Sequence, residues 1–365
     1  MTTTVRAMTG ADHLAVLARE PRPAGGAGEE RARDHAQAAL RDAGFEVTRE
    51  PFEYSAFPGR WATPIGGAMA AIAVWGAAWT AMTLADGPAS LLVVVSGVLA
   101  VVAFAALMLG DAVLTLPLMR ARSTNLLAIR RGVAPRVWLV AHLDSKSQPA
   151  SSLARIGGVA LLAGALVLAV TSCALELASL PARMAWWTAI VAAVLGALPV
   201  MASVVGARSP GALDNASGVA AVLTAAAQLD RRAAVGVLLS SAEELGLAGA
   251  RAWARGRPAA IALNCDGVDD GGEMTIMYSG SRPDSLIEAV ARMAPEAPRV
   301  RRMPLGLLTD SVALASRGWA TVTLSRGSLA SLQRVHTTHD SLAALRGDGV
   351  EEMGTLLARA AEVLA

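Results

Sequence analysis

The stretch PRVWLVAHLD, residues 135–144, is an apolar run that ends in two polar residues, His142 and Asp144. An apolar run without alternation is typical of a strand that is covered on both faces, as in parallel sheets. The runs AVGVLLSSA (234–242) and AAIALNCD (259–266) have the same character. These three runs predict parallel strands at the centre of a sheet.

Further segments with strand or helix periodicity surround the three runs. The additional predicted strands are 45–53, 124–132, 273–280 and 321–325, and the predicted helices are 29–41, 216–229, 245–255, 284–293, 310–316 and a last one after Gly347. Because strands and helices alternate along the chain, we predict an α/β fold with a mostly parallel sheet and helices on both faces.

Four long apolar segments interrupt this pattern. They form two pairs, 64–84 with 90–119 and 156–175 with 186–205, and a short polar turn joins the members of each pair. A helix that crosses a bilayer needs about 20 mainly apolar residues. One such segment alone could be a buried core helix, but four together predict two transmembrane hairpins. The mean hydropathy of +0.45 also favours an integral membrane protein with four membrane-crossing helices.

These segments predict the domain organisation. We expect a discontinuous α/β domain over 1–60, 120–154 and 207–365, one transmembrane hairpin over 64–119 and a second over 155–206. The first residues lack an apolar core of signal-peptide length, so we expect no cleavable leader.

Arginines next to the apolar segments predict the orientation in the membrane. The α/β side of the segments carries most of them: Arg60, Arg120, Arg122, Arg155 and Arg208. The opposite turns carry only Arg183. Positive residues concentrate on the cytoplasmic side of membrane proteins, so we expect the α/β domain in the cytoplasm.

The overall charge excludes one class of partner. The formal net charge is only +2, and no basic stripe is present, so we expect no nucleic-acid partner. The two cysteines, Cys173 in an apolar segment and Cys265 at a strand end, do not indicate a disulfide framework.

Residues that commonly bind metals stand in the loops after the predicted strands or before the predicted helices. They are His142, Asp214, Glu243, Glu244, Asp266 and His336. Each has an ordinary explanation by itself, because acids at helix starts and before glycines often serve as caps or turns. Sheets of this class place their sites at the carboxyl ends of strands. The recurrence of these residues at five loops therefore favours one shared site.

The mixture of imidazole and carboxylate ligands suits zinc, or else cobalt or manganese. If Asp214 bridges two ions, the remaining ligands can divide between them: His142 and Asp266 for one ion, and Glu244 and His336 for the other. Glu243 then remains free as a general base beside the bridging water. Such an arrangement is what metal-assisted hydrolysis requires.

Three neighbouring residues could contribute to this site. Asp144, two residues after His142, can orient the imidazole ring of that histidine. Lys146 could bind a carboxylate or phosphate group, or could be a solvated lysine. His339 competes with His336 as the ligand near the end of the chain.

Five motifs occur in a fixed order along the chain. They are H-x-D at 142–144, D-N-x-S-G at 214–218, S-x-E-E-x-G at 241–246, N-x-D at 264–266 and H-T-x-x-D at 336–340. In this order they resemble the M28 family of metallopeptidases, over nearly all of the chain outside the apolar segments. The resemblance implies a zinc aminopeptidase-like fold, two zinc ions per chain, the ligand division given above, Glu243 as general base and a non-proline cis peptide after Asp214. It also favours His336 over His339, because His336 takes the first position of its motif.

The leading functional hypothesis is hydrolysis of small peptides by a membrane-anchored aminopeptidase. One alternative is a single-zinc enzyme related to glutaminyl cyclases, against which the full ligand set argues. Another is a catalytically silent membrane scaffold or receptor with an M28-like domain. A transporter is less favoured, because Asp111 is the only acid inside a predicted span.

Overall fold

The structure is a computed structural model that describes residues 8–304 and 306–365. The first seven residues of the predicted segment 1–60, and Leu305, lie outside the described part. The chain forms two compact units. The sheet unit takes in residues up to Ala56, Leu114–Ser147 and Gly206–Ala365, and the helical unit takes in Phe57–Val113 and Gln148–Val205.

The described residues contain eight strands. In chain order they are β1 Glu46–Ser55, β2 Arg120–Ile129, β3 Val137–His142, β4 Val235–Ser240, β5 Ile261–Val268, β6 Glu273–Tyr278, β7 Arg299–Arg302 and β8 Ala320–Gly327.

The described residues also contain thirteen α-helices. In chain order they are α1 Gly10–Leu17, α2 Ala27–Asp42, α3 Phe57–Leu84, α4 Gly87–Met108, α5 Ala112–Thr115, α6 Ser152–Leu177, α7 Arg183–Met201, α8 Ser217–Gln228, α9 Ala248–Ala254, α10 Asp284–Met293, α11 Asp310–Ala315, α12 Leu329–Arg334 and α13 Asp348–Leu364. A π-helical turn, Ala212–Ala216, precedes α8, and a 3-10 turn, Leu342–Ala344, precedes α13.

All eight strands form one mixed sheet in the order β1-β2-β4-β3-β5-β8-β6-β7. The four central strands β4, β3, β5 and β8 are parallel, as are β6 and β7, whereas β1–β2, β2–β4 and β6–β8 are antiparallel. The sheet is therefore less uniformly parallel than predicted. The antiparallel edge consists of β1 and β2, which form a hairpin. Glu46 pairs with Ile129 at one end of this hairpin, and Ser55 pairs with Arg120 at the other. The inserted segment 56–119 connects the two strands.

Both faces of the sheet are covered, as the apolar strands predict. Along β3, Val137 and Leu139 point into a core that α8 and α13 complete on one face. Trp138 and Val140 point to the other face, where Trp253 of α9 packs edge-on against Trp138 with ring centroids 4.8 Å apart. This alternation of side chains fixes the strand register, because a shift by one residue would exchange the two faces.

The helical unit consists of α3, α4, α6 and α7, each long and apolar enough to cross a membrane. Small residues allow close approach of α6 and α7. A Cβ at Gly158 would lie 2.7 Å from the carbonyl oxygen of Gly196, and a Cβ at Gly196 would lie 2.7 Å from the carbonyl oxygen of Gly158. Close backbone packing at small residues is typical of helices in membranes. Half of the residues of α4 are exposed, and only Ser90 and Val94 of that helix are buried.

The second apolar segment ends earlier as a helix than its composition predicts. α4 stops at Met108 rather than continuing to Met119, because Gly110 adopts a left-handed conformation with φ 70°. Asp111 therefore lies outside the helix. An acid does lie within α6 instead: Glu176, whose Oε1 accepts a hydrogen bond of 2.8 Å from the indole of Trp186.

Three elements were not predicted: α1, β7 and α12. β7 has the sequence RVRR, which offers almost no apolar pattern, and it lies at the edge of the sheet.

The parallel strands determine where the site lies, because their carboxyl ends meet at one edge of the sheet.

Candidate metal centre

The sequence-predicted ligands meet at the carboxyl edge of the parallel strands. His142 is the last residue of β3, and Asp266 lies near the end of β5, where a bulge shifts the strand register. Glu243 and Glu244 follow β4, and Asp214 lies in the π-helical turn before α8. His336 follows α12 and is buried, whereas His339 is exposed.

Asp214 lies between the two histidines. Its Oδ1 is 3.2 Å from Nε2 of His142, and its Oδ2 is 2.9 Å from Nε2 of His336. On one side, Asp266 Oδ1 lies 3.7 Å from His142 Nε2; on the other, Glu244 Oε1 lies 3.4 Å from His336 Nε2. The five groups form a continuous row with the Asp214 carboxylate at its centre.

This row contains two triplets whose ligand atoms lie within 4.8 Å of one another. They are His142, Asp214 and Asp266, and Asp214, Glu244 and His336. Two of the atoms, His142 Nε2 and Glu244 Oε1, are buried without a hydrogen-bond partner. Buried polar atoms are normally satisfied, and these two face their triplets. Imidazole nitrogen and carboxylate oxygen are also the donor types that zinc takes, so the residues fit a metal in each triplet.

Glu243 and Glu244 were predicted to lie at the start of a helix. The structure places them in a loop instead. The helix α9 begins only at Ala248, because Ala242, Gly246 and Leu247 all adopt positive φ angles between 54° and 104°. Such angles cannot continue an α-helix. The loop therefore directs the side chains of two consecutive glutamates toward the site. In an α-helix, two consecutive side chains would point in directions about 100° apart.

The carboxylate of Asp144 holds this loop. Its two oxygens accept hydrogen bonds from the backbone N–H groups of Glu243 and Glu244, at 3.1 and 3.2 Å. Nδ1 of His142 lies 3.0 Å from the backbone carbonyl of Asp144 and 3.6 Å from its Oδ1. Asp144 therefore orients the histidine mainly through its carbonyl, and its carboxylate orients the two glutamates.

The serine of the motif S-x-E-E-x-G fastens the loop from the other side. The Ser241 hydroxyl donates to the buried carboxylate of Glu29 in α2, and its N–H donates to Asn125 Oδ1 at 3.0 Å. Glu29 is paired in turn with Arg33 at 2.7 Å.

The motif D-N-x-S-G joins the Asp214 turn to the end of β5. Asn215 Oδ1 accepts from the N–H groups of Gly218 and Gly267, and Ser217 Oγ accepts from the N–H of Val268 at 2.9 Å. A Cβ at Gly218 would lie 2.2 Å from Asn215 Oδ1, so only glycine fits there. The Asp214–Asn215 peptide is cis, as the resemblance implies.

Asp340 fixes the backbone of Asp214. Its carboxylate accepts hydrogen bonds from the N–H groups of Leu213 at 2.6 Å and Asp214 at 3.1 Å. Asp340 is the last residue of H-T-x-x-D, so this motif supplies both a ligand-type histidine and the anchor for the central aspartate. The sequence gives no indication of this second role.

Burial dominates the electrostatics of the site. It raises the pKa of Glu243 well above its usual range, and it raises the pKa of Asp310 and of Asp340 to about 7. Burial also opposes ionisation of Glu244, but the ammonium group of Lys146, 2.5 Å away, lowers the pKa of that carboxyl to about 2. The imidazoles of His142 and His336 likewise hold the pKa of Asp214 well below its usual range, against the effect of burial.

The comparison with protein families agrees with this geometry. Residues 125–361, more than half of the chain, match the model of peptidase family M28. The chain belongs to peptidase family M28. A search among curated proteins gave no significant match.

Several solved structures share the fold of this chain. A Zn-dependent exopeptidase from Parabacteroides distasonis is 14% identical, with 98% of each chain covered and a TM-score of 0.57. A zinc aminopeptidase from Bacillus subtilis is 14% identical, with 99% of this chain and 95% of that chain covered and a TM-score of 0.54. A glutaminyl cyclase from Porphyromonas gingivalis is 13% identical, with 99% of each chain covered and a TM-score of 0.55. At these identities the likeness shows the fold.

Arg22 is a buried residue beside the candidate metal centre, and it was not among the residues predicted from the sequence. It is 1% exposed, and its guanidinium donates to the carbonyl oxygens of Leu17, Leu143, Pro210 and Gly211 at 2.5 to 3.0 Å. Leu143 stands between His142 and Asp144, and Gly211 precedes the Asp214 turn. Arg22 therefore joins two of the ligand-bearing segments. A single arginine before α2 has no sequence signal that would distinguish it from a surface residue.

We predict that Arg22→Met lowers both the stability and the zinc affinity of the protein. Each buried carbonyl left without a donor costs about 1–3 kcal/mol, and loss of a group that supports ligands typically weakens metal binding about 10- to 100-fold. Thermal unfolding in detergent and titration against a competing chelator measure the two effects.

The matched control is Arg31→Met, because the Arg31 side chain is 60% exposed and pairs with Glu20 on the surface. It should leave both the thermal stability and the zinc affinity close to those of the wild type, because an ion pair between exposed side chains contributes little. If Arg22→Met, or Arg22→Lys should the former not fold, binds zinc as tightly as the control, Arg22 does not support the ligands.

Proposed function

We propose that this M28 chain is a membrane-anchored, two-zinc aminopeptidase that acts on small peptides. Membership of the family and the zinc-enzyme fold support zinc-dependent peptidase chemistry. The observation that carries the two-ion proposal is the position of Asp214, whose two oxygens each face a different histidine. One carboxylate placed in this way can serve two ions at once.

The proposed ligands follow from the two triplets. His142 and Asp266 would hold one zinc ion, Glu244 and His336 the other, and Asp214 would bridge them. When bound, zinc supplies Lewis acidity that polarises the scissile carbonyl and acidifies the attacking water.

Glu243 is the proposed general base. It belongs to neither triplet, yet its Oε2 lies 4.0 Å from His142 Nε2 and its side chain is 6% exposed. Its backbone is held by Asp144, so the carboxylate has a fixed position beside the ligands. Glu243 would take a proton from the water as it attacks and deliver that proton to the leaving amine, which then departs as a neutral group.

A single-zinc glutaminyl cyclase is the second candidate, because a cyclase is among the chains with this fold. Five ligand-type residues in two triplets that share Asp214 favour the two-ion hydrolase instead. The same completeness argues against a catalytically silent scaffold or receptor.

Membrane anchoring is the second part of the proposal. It rests on α3, α4, α6 and α7, whose length and composition suit a bilayer, and on the apolar side chains that they expose. Leu92 and Leu99 of α4, for example, are 67% and 63% exposed. Exposure of a continuous apolar surface of this kind to water is unfavourable, whereas exposure to lipid is not. The arginine distribution supports a cytoplasmic sheet unit.

We predict that Glu243→Gln abolishes peptide hydrolysis while zinc remains bound. Glutamine keeps the size of the side chain but cannot accept the proton, so kcat should fall by at least about 100-fold. Release of free amino acid and zinc content on detergent-purified protein are the two measurements.

The neighbouring variant Glu244→Gln is the comparison, because Glu244 belongs to a triplet. It should lose activity together with zinc from one site. Retained activity in Glu243→Gln would contradict the role of general base, and loss of zinc in that variant would assign Glu243 to the ligands.

For the orientation, we predict that a cysteine in the α6–α7 turn reacts with a membrane-impermeant thiol reagent in intact cells. A cysteine in the sheet unit should react only after the cells are made permeable. Ser179→Cys and Ser281→Cys are matched exposed positions for this test, and the native Cys173 and Cys265 are buried. The reverse labelling pattern would place the sheet unit outside the cytoplasm.

A further inference from the structure

Lys146 is a cation on the solvent-accessible side of the candidate metal centre. Its side chain is 13% exposed, close to the values for Asp214 and Asp266, at 14% and 13%. The side chains of His142, Glu243, Glu244 and His336 are 7% exposed or less. A molecule that enters the centre therefore meets two carboxylates and one ammonium group.

The backbone on both sides of Lys146 is fixed. The N–H of Ser145 donates to the Arg22 carbonyl at 2.8 Å, and the Ser145 hydroxyl donates to the Ser209 carbonyl at 3.0 Å. Ser147 exchanges two backbone hydrogen bonds with Gly206, at 3.0 and 2.7 Å. Lys146 is therefore held beside the centre by its neighbours and is not a solvated lysine on a free loop.

The ammonium group lies at one end of the row of metal-binding groups. Nζ is 2.5 Å from Glu244 Oε2, whereas Glu244 Oε1 faces His336. The row thus runs from Asp266 through Asp214 to Glu244 and ends in a positive charge. An ammonium group has three donors, and one carboxylate oxygen uses one of them.

Arg22, a buried cation near the centre, does not offer an equivalent contact. It is 1% exposed, and its guanidinium is directed to four backbone carbonyl groups. Of these two cations, Lys146 is the one whose donors a substrate could reach.

We propose that Lys146 binds a carboxylate on the residue that follows the scissile bond. A peptide bound along the row would place its N-terminal ammonium toward Asp266, the anionic end, and its leaving residue toward Lys146, the cationic end. The preferred substrates are then dipeptides, through their terminal carboxylate, or peptides with an acidic second residue. This inference rests on the proposed aminopeptidase function.

The test measures binding to the zinc-loaded Glu243→Gln chain by calorimetry, so that the ligands are not hydrolysed. The probes are Ala-Ala with a free carboxylate, its carboxamide, and the carboxamide of Ala-Asp. A charge-assisted hydrogen bond predicts that the free carboxylate binds about tenfold more tightly than the carboxamide, or more. Tight binding of Ala-Asp carboxamide would identify a side-chain carboxylate as an equal ligand, and weak binding would restrict the preference to the terminal one.

Substitution of Lys146 in this chain distinguishes its charge from a merely structural effect. Lys146→Gln keeps a hydrogen-bond donor for Glu244 but removes the charge, so the preference for the carboxylate should disappear while the zinc content stays the same. Lys146→Arg should keep the preference. Arg208→Met is the matched control, because it removes an exposed cation from the neighbouring loop, and it should also keep the preference.

Equal binding of acid and amide, or a preference that persists in Lys146→Gln, would overturn the inference. The proposed function fails in a different way. If wild-type protein holds zinc but cleaves neither Ala-Ala nor its amide, and the Glu243→Gln chain binds none of the probes, then the aminopeptidase assignment is wrong and this inference falls with it.

Discussion

The structure depends on the placement of many carboxylates in one buried region. Acids at the centre that are mostly or wholly shielded from solvent are Asp144, Asp214, Glu243, Glu244, Asp266, Asp310 and Asp340. Burying unpaired charges is among the most costly events in folding. The chain offsets part of this cost with Lys146 and the fully buried Arg22, and with backbone N–H groups that bind Asp144 and Asp340. Divalent cations in the two triplets would offset much of the remainder.

This constraint explains why the motifs contain more than ligands. The carboxylate of Asp144 accepts a hydrogen bond from the backbone N–H of Glu244, and that of Asp340 accepts one from the N–H of Asp214. Asn215 and Ser217 attach the Asp214 turn to β5 through hydrogen bonds from its backbone. Each link joins two segments that lie far apart in sequence. The position of each candidate ligand is therefore determined by contacts made outside the triplets, which is what a metal centre with narrow geometric tolerance would require.

The parallel core and the meeting of the ligands could be predicted because both follow from strong local patterns. Apolar strands such as Val137–His142 must be covered on both faces, and their carboxyl ends must share one edge. The loop at Glu243 could not be predicted, because its left-handed residues include Ala242 and Leu247, which carry no turn signal. Arg22 was missed for a related reason: its role depends on the nearby carbonyl of Leu17 and on three carbonyl groups from two segments that lie far away in sequence. β7 has too few apolar residues to show a strand pattern.

The most direct test of the proposed two-ion centre is the zinc content of detergent-purified wild-type protein beside Asp214→Asn. Asparagine preserves the shape of the bridging side chain but removes the charge that the two ions would share. The account predicts about two zinc ions per chain in the wild type and their loss in the variant. A wild-type protein that cannot be loaded with zinc, or a variant that holds as much zinc as the wild type, would contradict it.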